Sequence, residues 1–201
     1  MRLVYIFFII SFASYSQQNI LVMGNHSALC LNDSLNITRH DTLPESLEKF
    51  GAIMLFSGST SHLSENDIDR IIIFLEFGGG LYSGAENWPL QAESNQVTHR
   101  LYKKESFGEF ENHEAEVNTQ IGNLNLNRMN QIPAGTSTVA FPMDPRLKVE
   151  AWIEDQPLIL SGKIQKGRII IDGGYSRFYC NQRNKNTDLI FDEILQFLLK
   201  N

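Results

Sequence analysis

Cysteine is scarce in this chain. Cys30 and Cys180 are the only two among 201 residues, too few for a disulfide-dense scaffold and without the paired spacing of a thiolate zinc site. In an oxidising compartment they can join. Otherwise they are two buried thiols, and the sequence weighs these alternatives equally. Positive charge is also in short supply: 17 basic residues face 23 acidic ones, for a net charge of −6. The longest basic cluster is Lys103-Lys104. That argues against nucleic acid as a partner, because phosphate binding needs a basic face. The histidines at 26, 40, 62, 99 and 113 are scattered, and no H-E-x-x-H pair occurs. The densest set of ligand-type side chains, Glu111, His113, Glu114 and Glu116, reads as a solvated acidic stretch. "FGGGLYSG" lacks both the dinucleotide glycine spacing and the Lys-Ser/Thr of a P-loop. No metal or cofactor is therefore expected.

Long apolar runs are missing as well, with one exception at the start. "MRLVYIFFIISFASYS" has Arg2, an apolar stretch from Leu3 to Ala13, and small residues at Ser14 and Ser16. This is the pattern of a secretory signal, and the apolar run is shorter than the roughly 20 residues a spanning helix needs. The reading is a signal peptide over 1–16 and a single domain over 17–201, secreted or periplasmic, with no transmembrane anchor after signal removal. Three Asn-x-Ser/Thr triplets, beginning at Asn25, Asn32 and Asn36, match the glycosylation sequon. In a bacterial host they carry no meaning.

What remains is ordinary globular composition, 42% hydrophobic and 20% charged, and a legible order of elements. "NILVMGN" reads as a buried first strand and "LNITRHD" as a second. Thr42 and Glu45 make a capping-box pattern for a short helix through Phe50. "GAIMLFSGS", 51–59, is the next strand. Ser64 and Asp67 cap a helix whose Ile68, Ile71, Ile72 and Leu75 form a core-facing stripe, with Gly78 as its terminator. "GGLYSGA" is a strand, and Asn87 with Pro89 begins a helix through Tyr102. Residues 106–135 are Asn-rich and aperiodic, an irregular insertion. "STVAFP", "LKVEAWIED", "PLILSGKI" and "RIIIDGG" are strands. Alternating Leu147, Val149, Ala151 and Ile153 suggest a half-exposed antiparallel ribbon. A last helix, capped by Thr187 or Asn186, buries Ile190, Ile194, Phe197 and Leu198.

The fold class is α/β, a three-layer sandwich with a mostly parallel sheet and an antiparallel ribbon near the C-terminus. In such sheets, sites lie beyond the carboxyl ends of the strands. That places Asn25 and His26, Ser57 and Gly58, Ser83 to Asn87, and Asp172 to Arg177, including Tyr175, at one edge. The ligand-binding candidates are Asn25, His26, Ser57, Gly58, Ser83, Gly84, Glu86, Asn87, Asp172, Tyr175 and Arg177. Asp172 with Arg177 reads equally as a surface ion pair, and Asn87 as a helix cap.

The stretch "FGAIMLFSGSTSHLSENDIDRIIIFLEFGGGLYSGAENWPLQ" resembles the class I glutamine amidotransferase-like superfamily, a flavodoxin-like sandwich, and within it a divergent exported branch. "PLILSGKIQKGRIIIDGG" resembles the closing ribbon and strand of that branch. The resemblance implies a cysteine at the turn after the third strand, with a downstream histidine and acid. Thiolate attack needs a base within reach and backbone amides for the oxyanion. Here the turn reads Tyr82-Ser83-Gly84-Ala85-Glu86, and the last histidine is His113. Ser83 is a weak substitute, because Gly84 follows it directly and the Gly-x-Ser-x-Gly elbow is not met.

The expectation is a pseudoenzyme of glutamine amidotransferase-like fold that binds a small ligand or an envelope protein. An alternative is a hydrolase using Glu86 as general base, with Asp172 or His26 in the same crevice. A third is a structural component of an envelope assembly, using residues 106–135 as its contact surface.

Overall fold

The computed structural model describes residues 19–31, 35–58, 62–111, 113–118 and 122–200. The expected signal segment lies outside them. Apolar runs make β1 (Asn19–Gly24) and β3 (Phe50–Phe56) buried on both faces, and β4 (Gly80–Gly84) is equally buried, with its Tyr82 and Ser83 hydroxyls hydrogen-bonded. β2 (Ile37–His40) is more polar and lies at the sheet edge. The nine-stranded sheet runs β2-β1-β3-β4-β11-β10-β9-β6-β7. β2, β1, β3, β4 and β11 (Gly167–Asp172) are mutually parallel. β10 (Gln156–Ile164), β9 (Leu147–Ile153), β6 (Glu114–Val117) and β7 (Gln131–Pro133) continue it antiparallel. The central sheet is thus mixed, its five parallel strands extended by an antiparallel part.

Alternate residues of the same strands feed two cores. Ile20, Val22, Met54, Tyr82 and Ile170 pack with Ile190 and Ile194 of α3 (Lys185–Leu198). Leu21, Met23, Ile53, Leu55 and Leu81 pack with Ile71 and Leu75 of α1 (Glu65–Glu76) and Val97 of α2 (Ala92–Tyr102). Period-two alternation sends successive side chains to opposite faces, so α3 covers one face and α1 with α2 the other.

The capping box at α1 forms as its sequence predicts: Asp67 N donates to Ser64 Oγ at 3.1 Å, and Ser64 N to Asp67 Oδ2 at 3.4 Å. Gly78, at φ +112, follows the cap and donates to Leu75 O.

Several expectations fail for local reasons. No helix forms over 42–50; the Arg70 guanidinium takes the Pro44 and Glu45 carbonyls that a helix there would have used. α2 starts at Ala92 rather than near Asn87, because residues 87–91 make a turn in which Leu90 N donates to Asn87 O. The cap of α3 is Asn184, whose Oδ1 accepts from Asn186 N and Thr187 N. β9 is not half-exposed: Val149, Glu150 and Ala151 are buried in succession. The 106–135 segment supplies β5 (Phe107–Phe110), β6 and β7. β5 pairs with β8 (Thr138–Ala140) in a separate two-stranded sheet. Buried Glu150 holds the insertion in place, accepting from Asn123 N at 2.6 Å and Leu124 N at 3.1 Å.

Candidate functional site

The chain leaves β1 for β2 on one side, while β3 lies on the other, so the carboxyl ends of β1 and β3 flank a topological switch point. The strands converge tightly there. Asn25 N donates to Phe56 O at 2.8 Å. Gly24 sits at φ +82, and a Cβ on it would lie 1.9 Å from Phe56 O, so only glycine fits.

Polar groups then gather at this edge. Asn25 Nδ2 donates to the hydroxyls of Tyr175 and Tyr179, at 3.3 Å each. Tyr175 Oη donates to Ser57 O at 2.6 Å. Burial pushes the Tyr175 and Tyr179 phenols above their ordinary range, and the Glu86 carboxylate pushes in the same direction. Tyr175 stands on the short 3-10 turn Tyr175–Phe178 that follows β11. Glu86 is 2% exposed and accepts from Ser176 N at 2.7 Å. Its carboxyl is pushed up to about 7 by burial, which outweighs the hydrogen bonds from Ser176 and the charge of Arg177.

The turn after β4 is sealed. Ser83 is fully buried, and its Oγ lies 2.8 Å from Ser94 Oγ on α2. Ala85, the next side chain after Gly84, is also fully buried. Ser94 N donates to Ser57 Oγ at 2.9 Å, and Gly58 N to Glu93 Oε2 at 3.0 Å. The first turn of α2 is therefore bound to the ends of β3 and β4 through Ser57, Gly58, Ser83, Glu93 and Ser94. Neither cysteine is a thiol: Cys30 and Cys180 form a disulfide.

Asp172 and Arg177 are a fully buried pair rather than a surface one. Asp172 Oδ1 accepts from Arg177 Nη2 and Gly174 N, both at 3.0 Å. Asp172 Oδ2 accepts from Tyr82 Oη at 2.7 Å and Arg177 Nη1 at 3.1 Å. Arg177 Nη2 also donates to Ala134 O at 2.8 Å. This network ties the insertion to the end of β11.

The candidates divide accordingly. Asn25, Ser57, Gly58, Glu86 and Tyr175 gather around the switch point, with Ser83 and Gly84 packed beneath it. His26 instead lies with Nε2 3.4 Å from Asp41 Oδ1, and that ring nitrogen has no hydrogen-bond partner among the described residues. Asn87 accepts from Ser137 Oγ and donates to Glu109, so it serves the insertion and not a helix cap. Sequence reading misses Tyr179, Glu93, Ser94 and Tyr82. The last three stand inside ordinary helix and strand patterns and carry no local signal. Tyr179 precedes Cys180, and only the disulfide reveals its position.

Among the described residues no group of three or more His, Cys, Asp or Glu is arranged to hold a metal ion. His113, Glu114, Glu116, Glu154 and Asp155 line a shallow acidic cleft of about 450 Å³ beside Trp152. At the opposite edge of the parallel strands lies an apolar groove of about 770 Å³, bordered by Phe50, Phe74 and the exposed Ile73 and Phe77. Glu45, Glu48, Arg70 and Lys200 line it as well.

No family model matches the chain, and no curated protein does. Solved structures do. The mmIFT52 N-terminal domain is similar with a TM-score of 0.70 at 11% identity, over 92% of this chain and 98% of that one. The cytoplasmic protein STM1381 of Salmonella typhimurium LT2 gives 0.63 at 14% identity, over 90% and 96%. A putative ThuA-like protein of Bacteroides uniformis gives 0.59 at 11%, over 94% of each chain. At such identity the likeness establishes a shared fold, including that of the ThuA-like protein, and no activity.

Proposed function

We propose that this chain is a non-catalytic binding domain of amidotransferase-like fold, which holds a small polar ligand at the switch point through Asn25 and Tyr179. One observation carries the reading: Ser83 and Ala85 are buried, and the Ser83 hydroxyl is spent on Ser94. A nucleophile must reach its substrate and its base. Half-buried Asn25 and Tyr179 remain at the rim, with hydroxyl and amide groups suited to orienting a ligand. We further propose an exported protein working outside the cytosol, because the Cys30–Cys180 disulfide suits an oxidising compartment.

A thermal-shift screen with amino acids, sugars, nucleotides and cell-wall fragments tests the reading. Binding raises apparent stability by about 2.7 kcal/mol at a ligand concentration of about 100 Kd. The stabilisation is expected to vanish in Asn25→Ala and to weaken in Tyr179→Phe. A flat response across the panel would move the proposal to an envelope protein partner.

One observation favours a second reading. A carboxyl raised to about 7 suits general-base chemistry at neutral pH. Glu86 as the base of a hydrolase predicts turnover that Glu86→Gln abolishes.

A further inference from the structure

The Cys30–Cys180 disulfide lies beside the switch point. Leu29 and Tyr179 form an isolated antiparallel bridge outside the main sheet. Cys30 N donates to Phe178 O at 3.1 Å, and Cys180 N donates to Ala28 O at 2.9 Å. These two main-chain bonds and the disulfide tie the 28–30 and 178–180 segments together, beside the packing of buried Leu29 and Phe178 in one core. The bonds join two irregular segments, with no flanking strand to reinforce them. The covalent link spans 150 residues of chain, a separation at which a cross-link restricts the chain strongly.

Of the two partners in the Asn25–Tyr179 contact, Tyr179 stands on a linked segment, while Asn25 is held at the end of β1 by Phe56 O. Tyr179 is the residue before Cys180, and Asn25 opens the loop that carries Cys30. Tyr175 is anchored separately through Ser57 O at 2.6 Å, and Phe178 through the Phe191 and Tyr82 rings. Tyr179 is otherwise held within its own segment, by Ser176 O, Gln182 N and the Tyr175 ring, so loss of the link loosens its placement against the 25–30 loop.

We propose that the disulfide is a redox latch on the strand-end site: its reduction releases Tyr179 from Asn25 and leaves the sheet intact. The proposal rests on reading that site as the binding site. Cys180 is the exposed half of the pair, and Cys30 is half-buried. The reductant is a dithiol. One of its thiolates attacks Cys180 Sγ, the S–S bond breaks, and Cys30 leaves as a thiolate that takes a proton. The second thiol of the reductant then displaces Cys180 and closes the reductant's own disulfide. Two electrons and two protons pass to the protein.

Hydrogen exchange of the oxidised protein, the dithiothreitol-reduced protein and the Cys30→Ser/Cys180→Ser variant tests the latch, together with the side-chain amide resonance of Asn25. Reduction and the double substitution are both expected to speed exchange at residues 28–30 and 178–180 at least tenfold and to shift the Asn25 resonance. Protection in β3, β4 and β11 should stay unchanged. Unchanged exchange at those segments, or an unmoved Asn25 resonance, would overturn the proposal. So would a loss of protection throughout the sheet, which would make the link a support of the whole fold. No ligand enters this measurement, so failure of the binding reading and failure of the latch are separate results.

Discussion

The Ser83 hydroxyl lies 2.8 Å from the Ser94 hydroxyl, and neither side chain reaches solvent. This contact makes the strand-helix turn after β4 a buried, structural feature.

Ser83→Ala should therefore act on stability. Removing one partner leaves the Ser94 hydroxyl buried with a bond unmade, at a cost of about 1–3 kcal/mol. Urea denaturation measures that cost. Hydrolysis of amide and ester substrates should be the same, and negligible, in both proteins.

Tyr175→Phe keeps the ring beside Phe56, 5.5 Å between centroids, but removes the donor to Ser57 O. The buried carbonyl then lacks its partner, and about 1–3 kcal/mol of stability should be lost. An Asn25→Ala change in the same background should cost less than it does alone, because the two share one network. A double-mutant cycle measures the coupling.

Arg177→Met should be among the most damaging single changes. It leaves the Asp172 carboxylate buried beside Tyr82 without its counter-charge. Breaking a buried pair from one side costs about 3–5 kcal/mol. The change should lower Tm sharply, and Asp172→Asn added to it should recover part of the loss.

Glu86 should make stability pH-dependent in an unusual direction. Its carboxyl sits at about 7 in the folded protein against an ordinary 4.5. Between those values the folded state binds more protons than the unfolded one, so stability falls as pH rises. Below about 4.5 the penalty is absent, and above about 7 it is complete, on the order of 3 kcal/mol. Glu86→Gln keeps an acceptor for Ser176 N and removes the titration. The stability difference between variant and wild type should grow from pH 4.5 to pH 7 and then level off, as read by denaturation at several pH values.

The parallel half of the sheet was legible because its signals are local. The apolar runs at 19–24 and 50–56 and the Ser64–Asp67 box each determine their own element. The switch-point residues Asn25, Ser57 and Gly58 followed from strand order alone. What sequence reading missed depends on distant partners. The helix expected at 42–50 lost its carbonyls to Arg70 on α1. β6 gains its place by pairing with β9, about 35 residues along the chain. Tyr179 reaches Asn25 across 154 residues, and the disulfide beside it spans 150, separations on which a single sequence is silent.

The most direct test of the account is chemical-shift mapping of the oxidised protein against amino acids, sugars and cell-wall fragments. The account predicts that a binding compound moves the resonances of Asn25, Gly58, Glu86 and Tyr179 and yields no product signals. Shifts confined to the groove around Phe50 and Phe77, or product signals that disappear in Glu86→Gln, would contradict it.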